Sequence, residues 1–239
     1  MLNYPRNEPL GTNLIHNMTS VDYQELNKFF DAFTIFTPLS RISSDIDVVT
    51  FGVIHSKEQG IPGELIPRKW GEDVPAEWEG FDPGRLVEAI PKEWVEASAK
   101  RYFGVEKINH EAVDSTEYSF PAYRNGYYRP GGQGYLPQEW CNVSKFVYNG
   151  DGTYTATVDL YQCYPSNGTE APRNRYDQRE AWVLDGKTKV VDGGSDFDTN
   201  IHRTATDTVV LRPFIYGNEK TWQVVGVNGY NIPKQLLGG

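Results

Sequence analysis

Apolar positions recur at helical spacing in three stretches of the first half of the chain. In "TSVDYQELNKFFDAF", Thr19 or Ser20 offers an N-cap and Asp22 sits in the first turn, and Tyr23, Leu26, Phe29, Phe30 and Phe33 then share one face. Pro38 stops a continuation. "SSDIDVVTFGVIHS" also predicts a helix: Ser43 or Ser44 precedes Asp45 and Asp47, and Ile46, Val49, Val53 and Ile54 fit one face. Its β-branched content and Gly52 pull the other way, towards a strand. "PKEWVEASAKRYFG" has the clearest helical signature. Pro91 suits its start, Glu93 lies early, Lys100 and Arg101 lie late, and Gly104 can end it. Val95, Ala99, Tyr102 and Phe103 form its buried stripe. The Pro- and Gly-rich connection over 57–90 is irregular, with Trp70 and Trp78 to pin it and one short helix near "GRLVEAI".

From about residue 117 the period changes to alternation. "TEYSF" and "GYYRP" read as short strands around "RNG", and further strands are predicted near 140–149 and 153–164. Tyr154, Ala156, Val158 and Leu160 share a face of the latter. "REAWVL" and "KTKVV" flank Asp185-Gly186, and "DTVVLRPFIY" and "KTWQVVGV" flank "GNE". Pro213 cannot donate to a ladder, so its strand is an edge or carries a bulge. Helices first and hairpins afterwards predict an α+β fold: N-terminal helices packed on a curved antiparallel sheet, as in nuclear-transport-factor-like or cystatin-like cones. The expectation is a single domain over 1–239, with a helical and irregular part at 1–110 and a sheet part at 111–239.

"LNKFFDAF", "VVTFGVIH" and "RYFGVE", followed by the Tyr-rich hairpin region, resemble uncharacterised exported or lipoprotein-attached domains of Gram-positive bacteria. The resemblance covers most of the chain as an order of elements. It implies an extracellular or cell-surface location, with a cytoplasmic one as the alternative, and it supplies no catalytic residues.

Charge narrows the partners. Thirty-two acids against 23 bases give a net charge of −9, and no Lys/Arg cluster stands out, which opposes binding to nucleic acid or an anionic membrane surface. No run is long and apolar enough for a membrane span. "MLNYPRNEPLGTN" lacks the features of a signal peptide, so the expectation is either a cytosolic chain or one whose leader has been removed. If Asn149 pairs with Gly152, Cys141 faces Leu160 and Cys163 faces Gln138. Cys141 then shares a face with Val143 and Val147 and Cys163 lies on the other face, about three residues away, which argues against a disulfide unless a bulge intervenes. Two thiols are expected.

Catalytic signatures for phosphate cradling, dinucleotide binding or a nucleophile elbow are missing. "HEAVD" begins like a zinc helix but has Asp114 where a second His would stand. "DGGSDFDTN" offers Asp192, Asp196 and Asp198 as a lesser calcium candidate, although its glycines come early and no Glu closes the loop; a solvated acidic turn is the plainer reading. No cofactor is expected otherwise. His202 with Asp198, or His110 with Glu111, offers a general-base pair, and carboxylate pairs offer glycoside hydrolysis.

"YRNGYYRPGGQGYLPQEW" packs rings and glycines into one short stretch. Tyr127, Tyr128, Tyr135 and Trp140, with Arg129, form the candidate ligand-binding set, since sugars and small ligands dock on flat rings with polar groups at their edges. Adjacent Tyr127 and Tyr128 point to opposite faces of a strand, and an ordinary hairpin explains the stretch as well. The function expected is a non-enzymatic extracellular domain binding a small molecule, glycan or protein. The alternatives are a hydrolase in the concave face of the sheet and a structural spacer or assembly module.

Overall fold

The computed structural model describes residues 9–33, 39–58, 64–67, 86–113, 122–124, 126–129, 138–163, 190–192 and 201–238. In chain order its regular elements begin with α1 (Ser20–Asp31), α2 (Asp45–Glu58), β1 (Glu64–Pro67), β2 (Leu86–Pro91) and α3 (Lys92–Phe103). There follow β3 (Lys107–Ile108), β4 (Ala122–Arg124), β5 (Tyr127–Arg129), β6 (Gln138–Tyr148) and β7 (Tyr154–Cys163). The last are β8 (Val190–Asp192), β9 (Ile201–Tyr216), β10 (Glu219–Val227), β11 (Tyr230–Asn231) and β12 (Gln235–Leu236). The fold class is α+β with mostly antiparallel sheets. No described helix is long and apolar enough to cross a membrane. Two compact units emerge, each assembled from non-adjacent segments: Met1–Ser43 with Tyr135–Ile232, and Ser44–Gly134 with Pro233–Gly239.

The first unit is built on the antiparallel sheet β11-β10-β9-β7-β6, with β8 added parallel to the start of β9. Cys141 pairs with Leu160 and Gln138 with Cys163, as the simple register requires. Two deviations cancel to produce that result. The turn is one residue longer than expected, so that Tyr148 pairs with Tyr154, and a bulge between Val143 and Lys145 restores the count. The bulge also moves a face: Phe146 turns inward in place of Val147, beside buried Cys141 and Val143. Cys141 is buried as a thiol.

α1 lies against the bulged strand. Thr19 caps it by accepting from the Asp22 N–H at 3.1 Å. Asn27 accepts from the Val143 N–H at 2.9 Å, the Tyr23 hydroxyl donates to the Val143 carbonyl at 3.1 Å, and Asn13 accepts from the Phe146 N–H at 3.0 Å. β6 ends the sheet order, so side chains supply the partners that another strand would. Leu26, Phe30 and Phe33 are fully buried, and Phe146 stacks on Tyr154 with Trp222 edge-on. Pro213 sits where β7 has already ended at Leu211, so among the described residues β9 has only β10 beside it there.

The second unit holds the antiparallel sheet β1-β2-β5-β4, the parallel pair β3 and β12, and the packed helices α2 and α3. α2 is a helix, as its start signals predict, yet burial extends well beyond the expected face to Val48, Phe51, His55 and Ser56. Gly52 lets the helices approach: a Cβ there would come within 2.8 Å of Val95 Cγ1. Val95, Ala99, Tyr102 and Phe103 are buried, and Gly104 ends α3 in the left-handed conformation with φ 70°. "GRLVEAI" was expected to hold a short helix; Leu86–Pro91 is instead strand β2, because neighbours β1 and β5 on both sides override local preference. β4 pairs antiparallel with β5, so the hairpin partner of "YYR" is Ala122–Arg124; "TEYSF" and "REAWVL" lie outside the described residues.

Candidate functional site

After Gly104 the chain turns back along α3. The Glu106 N–H donates to the Lys234 carbonyl at 2.7 Å, and β3 then pairs with β12. Asn109 is held twice, its N–H to the Leu236 carbonyl and its side-chain amide to the Leu237 carbonyl, both at 3.1 Å. The next residue, His110, opens a short turn of 3-10 helix and lands beside α3 and the β4–β5 hairpin.

His110 uses both ring nitrogens. Nδ1 lies 2.6 Å from the Tyr128 hydroxyl and Nε2 lies 2.7 Å from Glu96 Oε1. A carboxylate only accepts, so Nε2 carries the proton towards Glu96, and in the neutral ring Nδ1 accepts from the Tyr128 hydroxyl. Tyr123 stacks on the imidazole with centroids 5.2 Å apart, and Tyr128 meets it edge-on. Exposure falls along the chain of bonds: the Glu96 side chain is 46% exposed, His110 10%, and Tyr128 is completely buried. Burial pushes the Tyr128 phenol well above its usual range, and Tyr123, Glu96 and Glu111 add to the effect. The phenol is therefore a hydrogen-bond donor held in its neutral form.

A second imidazole lies between the helices. His55 Nδ1 is 3.1 Å from the Ser98 hydroxyl, and both residues are buried. Burial and the neighbouring Arg101 charge lower the His55 pKa to about 4. A serine beside a histidine suggests a nucleophile, but Ser98 lies mid-helix on the face of α3 turned to α2.

Tyr127, Tyr128 and Arg129 form β5; Tyr128 is turned inward against Ile90 and Tyr123, and Tyr127 is half-buried. As a platform residue Tyr128 is corrected, because its ring has no exposed face. Trp140 belongs to β6, opposite Tyr161, and Tyr135 lies outside the described residues. Asp192 is in β8, while Asp196 and Asp198 lie outside the described residues. Among the described residues no group of three His, Cys, Asp or Glu is arranged to hold a metal. His202 is completely buried in β9. His110 bonds Glu96 rather than the adjacent Glu111. Glu96 and Tyr128 are 14 and 18 residues from His110, and no local motif links them.

No family model matches the chain, and neither does any curated protein or solved structure.

Proposed function

We propose that this chain is a non-enzymatic extracellular or cell-surface domain that binds a glycan, small molecule or protein through aromatic side chains, with Tyr127 at the rim of the β4–β5 hairpin. One observation carries the reading. The groups that would do chemistry on this hairpin are spent on each other: His110 holds Tyr128 on one side and Glu96 on the other, and the phenol is buried and neutral. Such a chain of bonds braces the hairpin from α3 and leaves Tyr127 as its half-exposed ring. The surface location rests on the resemblance carried by "LNKFFDAF", "VVTFGVIH" and "RYFGVE".

A glycan array probed with the whole chain and with Tyr127→Ala tests this reading. Binding of at least one glycan class, lost in Tyr127→Ala at an unchanged unfolding midpoint, is the expected result. A uniformly blank array, or binding indifferent to Tyr127→Ala, overturns the glycan site. A hydrolase is the second reading, favoured by the solvent-facing end of the Glu96–His110 pair. It requires turnover of ester or glycoside substrates that His110→Gln removes.

A further inference from the structure

We propose that His55 is a proton-operated wedge in the α2–α3 seam of the second unit, so that acid loosens these two helices. The imidazole is packed between aromatic rings from both helices. Phe51, one turn earlier on α2, stacks on the imidazole at 5.2 Å with planes 10° apart. Tyr102 of α3 meets it edge-on at 4.6 Å, and Phe51 itself abuts Tyr102 and Phe103 at 5.3 and 5.0 Å. Val95 against Gly52 closes the seam one turn away.

Only one end of the ring is satisfied. The Ser98 hydroxyl serves Nδ1 in either tautomer, whereas Nε2 is buried without a hydrogen-bond partner among the described residues. A lone pair at Nε2 is tolerable among aromatic rings; protonation would place a charged donor there with nothing to receive it. The surroundings add a second penalty. Arg101, the next turn of α3, acts on the ring with like charge, while its guanidinium lies 5.2 Å from the Tyr102 ring. From α3 the titratable and charged neighbours are therefore Arg101 and Tyr102. β2, the other element packed against both helices, contributes uncharged Ile90 and Pro91 at its described end. The charge that bears on the imidazole is that of Arg101, which has the same sign as an imidazolium.

Opening the seam relieves both penalties at once, because water reaches Nε2 and screens Arg101. The folded ring resists protonation until about pH 4, whereas an unpacked one takes the proton near 6.5. The open form gains on the closed one across that interval, by up to about 300-fold, since each pKa unit is a factor of ten.

Amide exchange on the whole chain at several values between pH 7 and 4, normalised for intrinsic rates, reads the seam directly. In the wild type, protection of α2 and α3 amides falls by two orders of magnitude or more across this range. In His55→Phe, which keeps an aromatic wedge and removes the titration, that fall shrinks at least tenfold, and the pH response of β6, β7, β9 and β10 amides is unaltered. Arg101→Gln provides an arm that does not touch the ring: it raises the pH at which the His55 ring protons titrate by NMR, and it shrinks the acid loss of protection. If His55→Phe fails to fold, the Arg101→Gln arm and the titration of the wild-type ring decide. The proposal is overturned if His55 titrates near 6.5 in the folded chain, or if α2 and α3 lose the same protection with acid in every variant.

Discussion

In the first unit the backbone groups on the outer side of β6 are met by two amides and a phenol, Asn13, Asn27 and Tyr23. In the second, the Tyr128 and Ser98 hydroxyls are met by imidazoles, His110 and His55. Both arrangements satisfy buried polar atoms, but amides do not titrate between pH 4 and 7 and imidazoles do. Among the described residues of the first unit one buried carboxyl shifts, Asp207, which burial raises above its usual range despite a bond from Asn228 at 2.9 Å. The sign is opposite to that of His55: folding favours the protonated carboxyl and the unprotonated imidazole. Acid therefore works with Asp207 in one unit and against His55 in the other.

The largest expected effect tests packing alone. Phe30→Ala removes a completely buried ring from the first unit and costs about 3–5 kcal/mol in denaturant unfolding followed through β7 and β9 amides, with the same loss at pH 5 and pH 7. A loss that varies with pH would tie this core to a titrating group. Next comes acid itself. Below pH 6.5 the unfolded chain takes a proton on His55 that the folded unit refuses until about pH 4. The stability present above 6.5 thus declines as pH falls, by up to about 3 kcal/mol in the second unit, and urea unfolding across that interval measures it. Smaller again is Asn27→Ala, which strips the partner from the Val143 N–H on β6 and costs about 1–3 kcal/mol, independent of pH. A pH-dependent cost there would erase the distinction between amide and imidazole.

The regular elements were largely legible because their signals are local. Thr19 caps α1 and Gly104 ends α3 where spacing and residue type predicted, and Tyr154, Ala156, Val158 and Leu160 share the buried face of β7. What was misread depends on neighbours distant in sequence. β2 looked helical because "VEA" favours helix locally, and only pairing with β1 and β5 makes it a strand. The Val143–Lys145 bulge is invisible to a count from the turn, yet it decides that Phe146 rather than Val147 enters the core. The site followed the same pattern. Tyr127 and Tyr128 were placed in a hairpin strand with opposite facings, but the Tyr128–His110–Glu96 chain joins three elements whose residues carry no shared motif. For His55 the apolar "VIHS" shows a buried face and not what the ring touches.

The account turns on the Glu96–His110–Tyr128 chain being a brace rather than a reaction centre, and Tyr128→Phe separates the two. Its equilibrium unfolding should show a loss of about 1–3 kcal/mol, because His110 Nδ1 is left without its buried donor while the ring stays in place. Assayed alongside on chromogenic ester and glycoside substrates, wild type and variant should be alike, with no rate above buffer. An unchanged stability together with a wild-type rate that Tyr128→Phe abolishes would contradict the account.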